Sequence, residues 1–341
     1  MNLLFFALDV AQTETERAEG MNFKGDCLLT LQRYEEALQI YNNSLAQFQN
    51  DCKREAEPFL KEHIAKAFFK KMETLSKLER QAEIPSVYDE MVCRFGEDNT
   101  PFIRKYLAQA LYEKASYFGH LAEKENSLAA YALTLYDELL QKFGNDTDTI
   151  IKQEVAWAMR NKSNALFTLE RYDDAIKACD ACIQKFGNET DTTIKQEVAK
   201  AMLYKGEGLS NLNRKEDAIK TYDALLQKFG NDTDTEIKQY VAAGAMFCKG
   251  AALYILDRYD DAIKAYDACI EKFSNETDTT IKKYVAWAMR NKGVDLDNLN
   301  RKKESIKAFD ACIEKFSNET DKEIQEIVKE AREERSSRRK R

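Results

Sequence analysis

Apolar residues recur at helical spacing in the stretch between Asp148 and Phe186. A first amphipathic set, with gaps typical of one helix face, comprises Ile151, Val155, Ala158, Met159, Ala165 and Leu169. After a polar break at Glu170 and Arg171, a second set comprises Tyr172, Ala175, Ile176, Cys179, Ile183 and Phe186. The pattern predicts two antiparallel helices. Asp148 is the expected N-cap of the first helix, because a short carboxylate side chain accepts hydrogen bonds from its exposed amides.

This two-helix pattern repeats along the chain. QKFGNDTDT at 141–149 returns in closely similar form at 184–192, 227–235 and 271–279. A fixed period of this kind predicts an α-solenoid, in which each small unit packs on its neighbours. We divide residues 12–320 into about seven units that end near Phe48, Phe95, Phe143, Phe186, Phe229, Phe273 and Phe316.

The two ends of the chain differ from the repeats. Residues 1–11 are apolar but lack the basic start of a signal peptide, and we interpret them as an N-terminal packed segment or the edge of a longer protein. Residues 321–334 form a predicted polar capping helix, and 335–341 form a basic tail. A solvated chain end is the favoured interpretation of this tail, with contact to nucleic acid or an acidic partner as the alternative.

Two kinds of apolar or small position recur along the repeats and indicate packing. Small residues in the first helix predict close helix–helix approach, because glycine is otherwise unfavourable there; they are Gly25, Ala115, Ser163, Gly206, Gly250 and Gly293. A leucine fills one further position and predicts a core ladder: Leu31, Leu78, Leu121, Leu169, Leu212, Leu256 and Leu299.

Lysine and aspartate also recur, the lysine on the first helix and the aspartate on the second. We expect them to pair inside each repeat, for example Lys162 with Asp180. The alternative is two solvated stripes, since exposed pairs contribute under about 1 kcal/mol.

These features resemble the tetratricopeptide repeat. The resemblance is carried by the first-helix glycine, the RYDDAI run at 171–176 and again at 258–263, an aromatic such as Tyr266 and a small residue such as Cys269. It implies an all-α, right-handed superhelix of about seven helical hairpins plus the C-terminal capping helix. The units are nine or more residues longer than the usual repeat of about 34 residues, which is similar to a longer bacterial variety.

Composition narrows the class of protein. The chain has 341 residues, a third of them charged, and a net charge of −7, which argues against a general nucleic-acid binder. Of its eight cysteines, Cys182, Cys269 and Cys312 share one repeat position with Leu139, so we expect buried free thiols in a reducing compartment. The spacing of Cys179 and Cys182 also matches redox or metal sites, but packing is the favoured interpretation.

Catalysis finds little support in the sequence. There are two histidines, neither in a triad or metal-ligand spacing, and no phosphate-binding loop is present. The Asn-Asp/Glu-Thr-Asp runs lack the spaced carboxylates and glycine of a calcium loop. We therefore predict a protein that is not an enzyme, with no metal and no cofactor.

The tetratricopeptide resemblance implies a concave face, lined by first helices, that receives a peptide or partner protein. Candidate binding residues are those that vary between units on this face, and many are of the types that dominate interface hot spots. They are Trp157, Arg160, Asn161, Asn164, Phe167, Lys200, Tyr204, Phe247, Tyr254, Trp287, Arg290 and Asn291. The alternative for Trp157 and Trp287 is packing between repeats.

The sequence therefore favours a non-catalytic protein–protein interaction scaffold, bacterial and cytoplasmic. One alternative is the sensor or regulatory subunit of a larger effector, such as a protease or nuclease. Another is an RNA-binding helical solenoid, although its candidate face is mixed and the chain acidic. Arg160 and Asn164 resemble half of the clamp with which some relatives bind chaperone carboxylates, but Tyr204 interrupts it and we predict no chaperone binding.

Overall fold

The computed structural model describes residues 13–48, 57–122, 126–238 and 242–340, and within these ranges it contains helices and no strands. The predicted packed segment 1–11 lies outside the described residues. The helices are α1 Glu14–Thr30, α2 Tyr34–Gln47, α3 Pro58–Lys77, α4 Ile84–Phe95 (after a 3-10 turn at Gln81–Glu83), α5 Pro101–Leu121, α6 Asn126–Phe143, α7 Thr149–Thr168, α8 Tyr172–Phe186, α9 Thr192–Asn211, α10 Lys215–Phe229, α11 Ala242–Ile255, α12 Tyr259–Phe273, α13 Thr279–Asn298, α14 Lys302–Phe316 and α15 Lys322–Lys340.

The chain forms two compact units, Met1–Leu169 and Glu170–Arg341. In each unit, consecutive helices pack as hairpins and first helices of successive hairpins also touch: α5 contacts α7 in the first unit, while α11 contacts α13 in the second. The predicted all-α fold of successive helical hairpins is confirmed. Among the described helices, none is long and apolar enough to cross a membrane.

The recurrent TDT segment starts the first helix of a hairpin, as predicted. Asp148 accepts hydrogen bonds from the amides of Ile150 and Ile151 at 2.9 and 3.1 Å. Asp191 and Asp278 accept from the amides three residues on at 3.0 and 3.1 Å. Each bond satisfies an amide that has no partner inside the helix.

The turn between the two helices of a hairpin uses a residue with positive φ. These residues are Gln32, Glu79, Glu170, Asn213, Asp257 and Asn300, with φ between 55° and 60°. In one of these turns the amide of Arg214 bonds to the carbonyl of Leu209 and that of Asn213 to Ser210. This is the pattern that closes a helix whose last residues turn left-handed.

The predicted leucine ladder is wrong in its position. Leu31 is 61% exposed, and Leu78, Leu169, Leu212, Leu256 and Leu299 are only half-buried. Leu31, Leu169 and Leu212 are the C-cap residues of their helices, so they lie at the turn rather than in the centre of the helix–helix contact. The buried leucines stand three residues earlier, at Leu28, Leu75, Leu166, Leu209, Leu253 and Leu296.

The first-helix glycines permit the predicted close approach. A Cβ added at Gly206 would lie 2.3 Å from Cε1 of Tyr222, and one at Gly250 would lie 2.4 Å from Cε1 of Tyr266. Real Cβ atoms do not approach so closely, so the aromatic ring of the second helix occupies the volume that any larger residue needs. The cysteines predicted to pack, Cys182, Cys269 and Cys312, are also confirmed as buried free thiols.

The lysine–aspartate pairs form, but not inside each repeat. Lys162 pairs with Asp137 rather than Asp180, and Asp180 pairs with Lys205 at 2.6 Å. Lys292 likewise bonds to Asp267 at 2.5 Å. The predicted pairing was wrong because a first-helix lysine faces the second helix of the preceding hairpin, so each pair joins two hairpins.

A second polar link uses the QKF segment. Lys228 donates to the carbonyl of Gly187 and Lys272 to the carbonyl of Gly230, each in the loop one repeat earlier. Lys142 reaches the carbonyl of Gly96 in the same way at 3.4 Å. The repeated loop therefore makes two contacts. Its aspartate caps the helix that follows, and its glycine carbonyl accepts a hydrogen bond from the lysine one repeat later.

The C-terminal helix runs further than the predicted capping segment. α15 continues through most of the basic tail, as far as Lys340. Arg335 takes the recurrent lysine position and bonds to Asp310 at 2.6 Å, and Arg338 pairs with Asp297 at 2.9 Å. These arginines are therefore part of the packed unit, which corrects the interpretation of a solvated chain end.

Two glycines on α11 give a matched test of the close contact. Gly250→Ala is expected to lower the free energy of unfolding by about 1–3 kcal/mol, because the new methyl group overlaps the Tyr266 ring. Gly244→Ala is the control: its nearest neighbour is 3.6 Å away, so alanine is expected to stabilise the helix by up to about 1 kcal/mol. Denaturant unfolding of both variants measures the difference, and equal effects would contradict the packing role.

Candidate functional site

In the first unit, the predicted residues lie on α7 against α5. The Trp157 ring stacks on Tyr112 with centroids 5.6 Å apart, and Asn161 Nδ2 donates to the Tyr112 hydroxyl at 3.0 Å. Trp157 and Asn161 are half-buried. The structure therefore gives Trp157 a packing partner on the neighbouring first helix while part of its ring still faces solvent.

The other predicted residues of α7 extend this face. Arg160 donates to the side chain of Asn161, and both stay half-buried. Asn164, one turn further on, is exposed, and Phe167 is half-buried near the end of the helix. Together the five side chains form a partly open surface of aromatic rings and hydrogen-bonding groups.

Buried acids adjoin this surface, and the sequence analysis missed them. Glu154 is only 4% exposed, and burial, with the nearby Glu113 carboxylate, raises its pKa to about 8. Burial, with the charge of Glu73, also raises the pKa of Glu113. The first-helix face of this unit thus holds carboxyl groups that water does not fully stabilise.

In the second unit, five of the predicted residues surround one cavity of about 350 Å³. It lies between α11 and α13, with Tyr266 of α12 contributing to the lining. The predicted residues around it are Phe247, Tyr254, Trp287, Arg290 and Asn291. Recognition sites are often small, mostly apolar cavities with a few polar groups, and this one fits that description.

Contacts with other helices fix the walls of this cavity. The Phe247 ring lies 5.8 Å from Tyr284 and 6.3 Å from Tyr266, measured between centroids. Arg290 lies over the Trp287 ring at 6.0 Å and donates to Asn291 Oδ1 at 3.0 Å. Tyr254 is 40% exposed, so the cavity opens to solvent on its side.

Lys200 and Tyr204 lie on α9 and do not line this cavity. Lys200 pairs with Glu236 at 2.6 Å and with the buried Glu197 at 3.3 Å. Tyr204 is half-buried. Glu207, on the same helix, has a pKa raised to about 7 by burial.

Asp295 is the cavity residue that the sequence analysis missed. Its side chain is 0% exposed, neither carboxylate oxygen has a hydrogen-bond partner among the residues that the structure describes, and burial raises its pKa to about 7. The equivalent positions of the three preceding units hold Ala165, Gly208 and Ala252, and no other unit has a charged residue there. That departure was the available signal in the sequence.

Glu154 predicts a pH-dependent stability of the first unit. Its folded pKa of about 8 exceeds the ordinary value of 4.5, so between these values the folded chain holds a proton that the unfolded chain has lost. Stability therefore falls as pH rises through this window. Glu154→Gln is expected to raise the free energy of unfolding at pH 9 by about 1 kcal/mol or more, with little effect near pH 4.

The control for this prediction is Glu97→Gln, which removes an exposed carboxylate of the same unit. Thermal unfolding at pH 4, 6.5 and 9 gives the comparison. Equal pH profiles for the wild type and Glu154→Gln would show that burial of this carboxyl carries no cost.

Comparison with known proteins agrees with this architecture. The tetratricopeptide repeat family matches residues 196–276, which span α9 to α12. A search of curated proteins finds no match. Among solved structures, BtubC (BKLC) from P. vanneervenii is similar at a TM-score of 0.52 and 15% identity, over 76% of this chain and 91% of that one.

Two further structures are similar at lower scores. A tetratricopeptide repeat protein from Parabacteroides merdae has a TM-score of 0.48 and 12% identity, over 92% of this chain and 98% of that one. The apo form of RapI has a TM-score of 0.45 and 14% identity, over 95% and 97%.

The family match covers most of α9 and all of α10, α11 and α12, and the same glycine–aromatic contact and capped loop recur in hairpins outside it. Gly25 meets Tyr41 and Gly293 meets Phe309 as Gly250 meets Tyr266. Residues 196–276 therefore match the tetratricopeptide repeat family, and hairpins outside this range share the same glycine–aromatic contact.

Proposed function

We propose that this chain is a non-catalytic protein-interaction scaffold that binds a peptide or a partner protein on the first-helix faces of its units. The observation that carries the proposal is the placement of the residues that vary between repeats. In the second unit, five of them surround one cavity that opens to solvent. Aromatic and arginine side chains in a partly enclosed site are typical of binding hot spots.

The chemistry of the thiols supports a binding rather than a catalytic role. Burial raises the pKa of Cys248, Cys269 and Cys312 to about 12. Because the thiolate is the reactive form, such thiols are poor nucleophiles near neutral pH. Free thiols at all these positions also favour a reducing compartment, and we propose the cytoplasm, in a bacterium as the long repeats suggest.

A protein partner suits the charges better than RNA does. The first-helix faces hold buried carboxyl groups, Glu154 and Asp295 among them, and these groups offer no positive charge to a phosphate. The main basic cluster consists of arginines of the C-terminal helix. These arginines form ion pairs with acidic residues of the chain itself. RNA binding therefore remains an outcome of the test rather than a second proposal.

The proposal is tested by replacing both tryptophans. Wild-type protein and a Trp157→Leu, Trp287→Leu variant are used as baits in lysate of the native host, with quantitative mass spectrometry of what each retains. Leucine keeps apolar packing but removes the indole ring. Loss of one hot-spot contact costs about 2 kcal/mol, so we expect a partner to bind the variant at least tenfold more weakly.

The control bait is Tyr131→Ala, which removes an exposed aromatic ring from the second helix α6. It is expected to retain the partner. Equal retention by the tryptophan variant, with unchanged melting temperature, would refute binding on the first-helix faces. Recovery of RNA alone would favour the RNA-binding solenoid, whereas an enzyme whose activity changes on binding would identify a regulatory subunit of a larger effector.

A further inference from the structure

The cavity between α11 and α13 contains a buried acid without a partner. Asp295 is 0% exposed, and no donor within the described residues reaches either carboxylate oxygen. A buried charge without a partner is unfavourable, so its presence in a native structure calls for an explanation. Asp295 lines the cavity together with aromatic rings from three helices.

Packing does not explain this residue. The equivalent position holds Ala165 on α7, Gly208 on α9 and Ala252 on α11. Each of these helices, like α13, is the first helix of a hairpin. Ala165 and Ala252 are themselves buried, at 5% and 1% exposure. A small apolar residue therefore satisfies the fold, and the carboxyl group of Asp295 is an addition specific to this cavity.

We propose that this cavity receives a basic side chain, lysine or arginine, from the partner, with the Asp295 carboxylate as its counter-ion. The inference rests on the proposed function and specifies the chemistry of the segment that binds. It explains why the acid has no partner in the free chain, because the missing partner is the cation of the bound segment.

The walls of the cavity suit such a side chain. Phe247, Tyr254, Tyr266 and Trp287 present aromatic rings, which attract cations through their faces and pack against apolar stems. The volume of about 350 Å³ lies at the small end of ligand sites and accommodates one side chain rather than a large ligand.

Arg290, the basic residue that lines the cavity, does not serve as the counter-ion of Asp295. It lies 3.5 Å from Glu330 and 3.4 Å from Glu334 on α15, and no donor of it reaches Asp295. Its charge is thus compensated from the other side. Arg338 likewise pairs with Asp297 and Glu334, so within the described residues neither arginine serves as a counter-ion of Asp295.

The test uses the full chain and two probes that differ only in charge. N-acetyl-arginine methylamide carries the guanidinium, and N-acetyl-citrulline methylamide is its neutral isostere. Each is titrated at pH 8 while the indole N–H signal of Trp287 is followed by NMR, assigned with a Trp287→Phe variant. We expect the arginine probe to bind about tenfold or more tightly than the citrulline probe, as for a charged hydrogen bond.

Asp295→Asn keeps the shape and removes the charge. It is expected to bring the arginine probe to the affinity of the citrulline probe, while citrulline binding stays unchanged. Asp260→Ala, which removes an exposed carboxylate of the same unit, is the control and is expected to keep the full preference. Because Asp295→Asn relieves a buried charge, its melting temperature is expected to equal or exceed that of the wild type.

Equal affinities of the two probes for the wild type would overturn the inference, and so would an arginine preference that survives Asp295→Asn. A uridine oligonucleotide that shifts Trp287 where the arginine probe does not would also overturn it, because the cavity would then stack bases. The proposed function fails separately: a partner lost from the tryptophan variant upholds the scaffold even if both probes bind alike.

Discussion

The contact between a first-helix glycine and a second-helix aromatic ring sets the geometry on which the other features depend. At Gly250 the Tyr266 ring lies where a side chain would otherwise be, so the ring of the second helix packs directly against the backbone of the first. The same Tyr266 ring also lines the cavity between α11 and α13. The ring that packs against Gly250 therefore also forms part of the cavity wall.

Polar contacts join one hairpin to the next. The lysine–aspartate pairs, such as Lys205 with Asp180, are half-exposed and individually weak, each worth under about 1 kcal/mol. The hydrogen bond from Lys228 to the Gly187 carbonyl adds a second link at the loop. Since both links recur with the period of the repeat, they favour one register between neighbouring hairpins more than they add stability.

The sequence predicted the features that depend on period and local chemistry. Helix existence, the N-cap of Asp148 and the close approach at Gly250 all follow from spacing and from residue size. Recurrence alone did not reveal burial: Leu31 and its equivalents recur because they end a helix, and the core lies one turn earlier. Lys162 was paired with the wrong hairpin, because a period specifies which residues are equivalent but not which neighbour each one faces. Asp295 was missed because a pattern shared by the repeats does not show what is particular to one unit, and Asp295 is the one acid at its repeat position.

The periodic placement of these links has a consequence for how such a chain changes length. Suppose that one complete repeat of the second unit were duplicated. The new first-helix lysine would pair with an aspartate of the preceding hairpin, and the new loop would supply the aspartate that caps the next helix. The stack would grow without a new kind of contact at the joins. A duplication outside α11–α13 would leave Asp295 as a single copy and its neighbours in place, so the chain could acquire or lose hairpins while keeping one cavity that contains an acid.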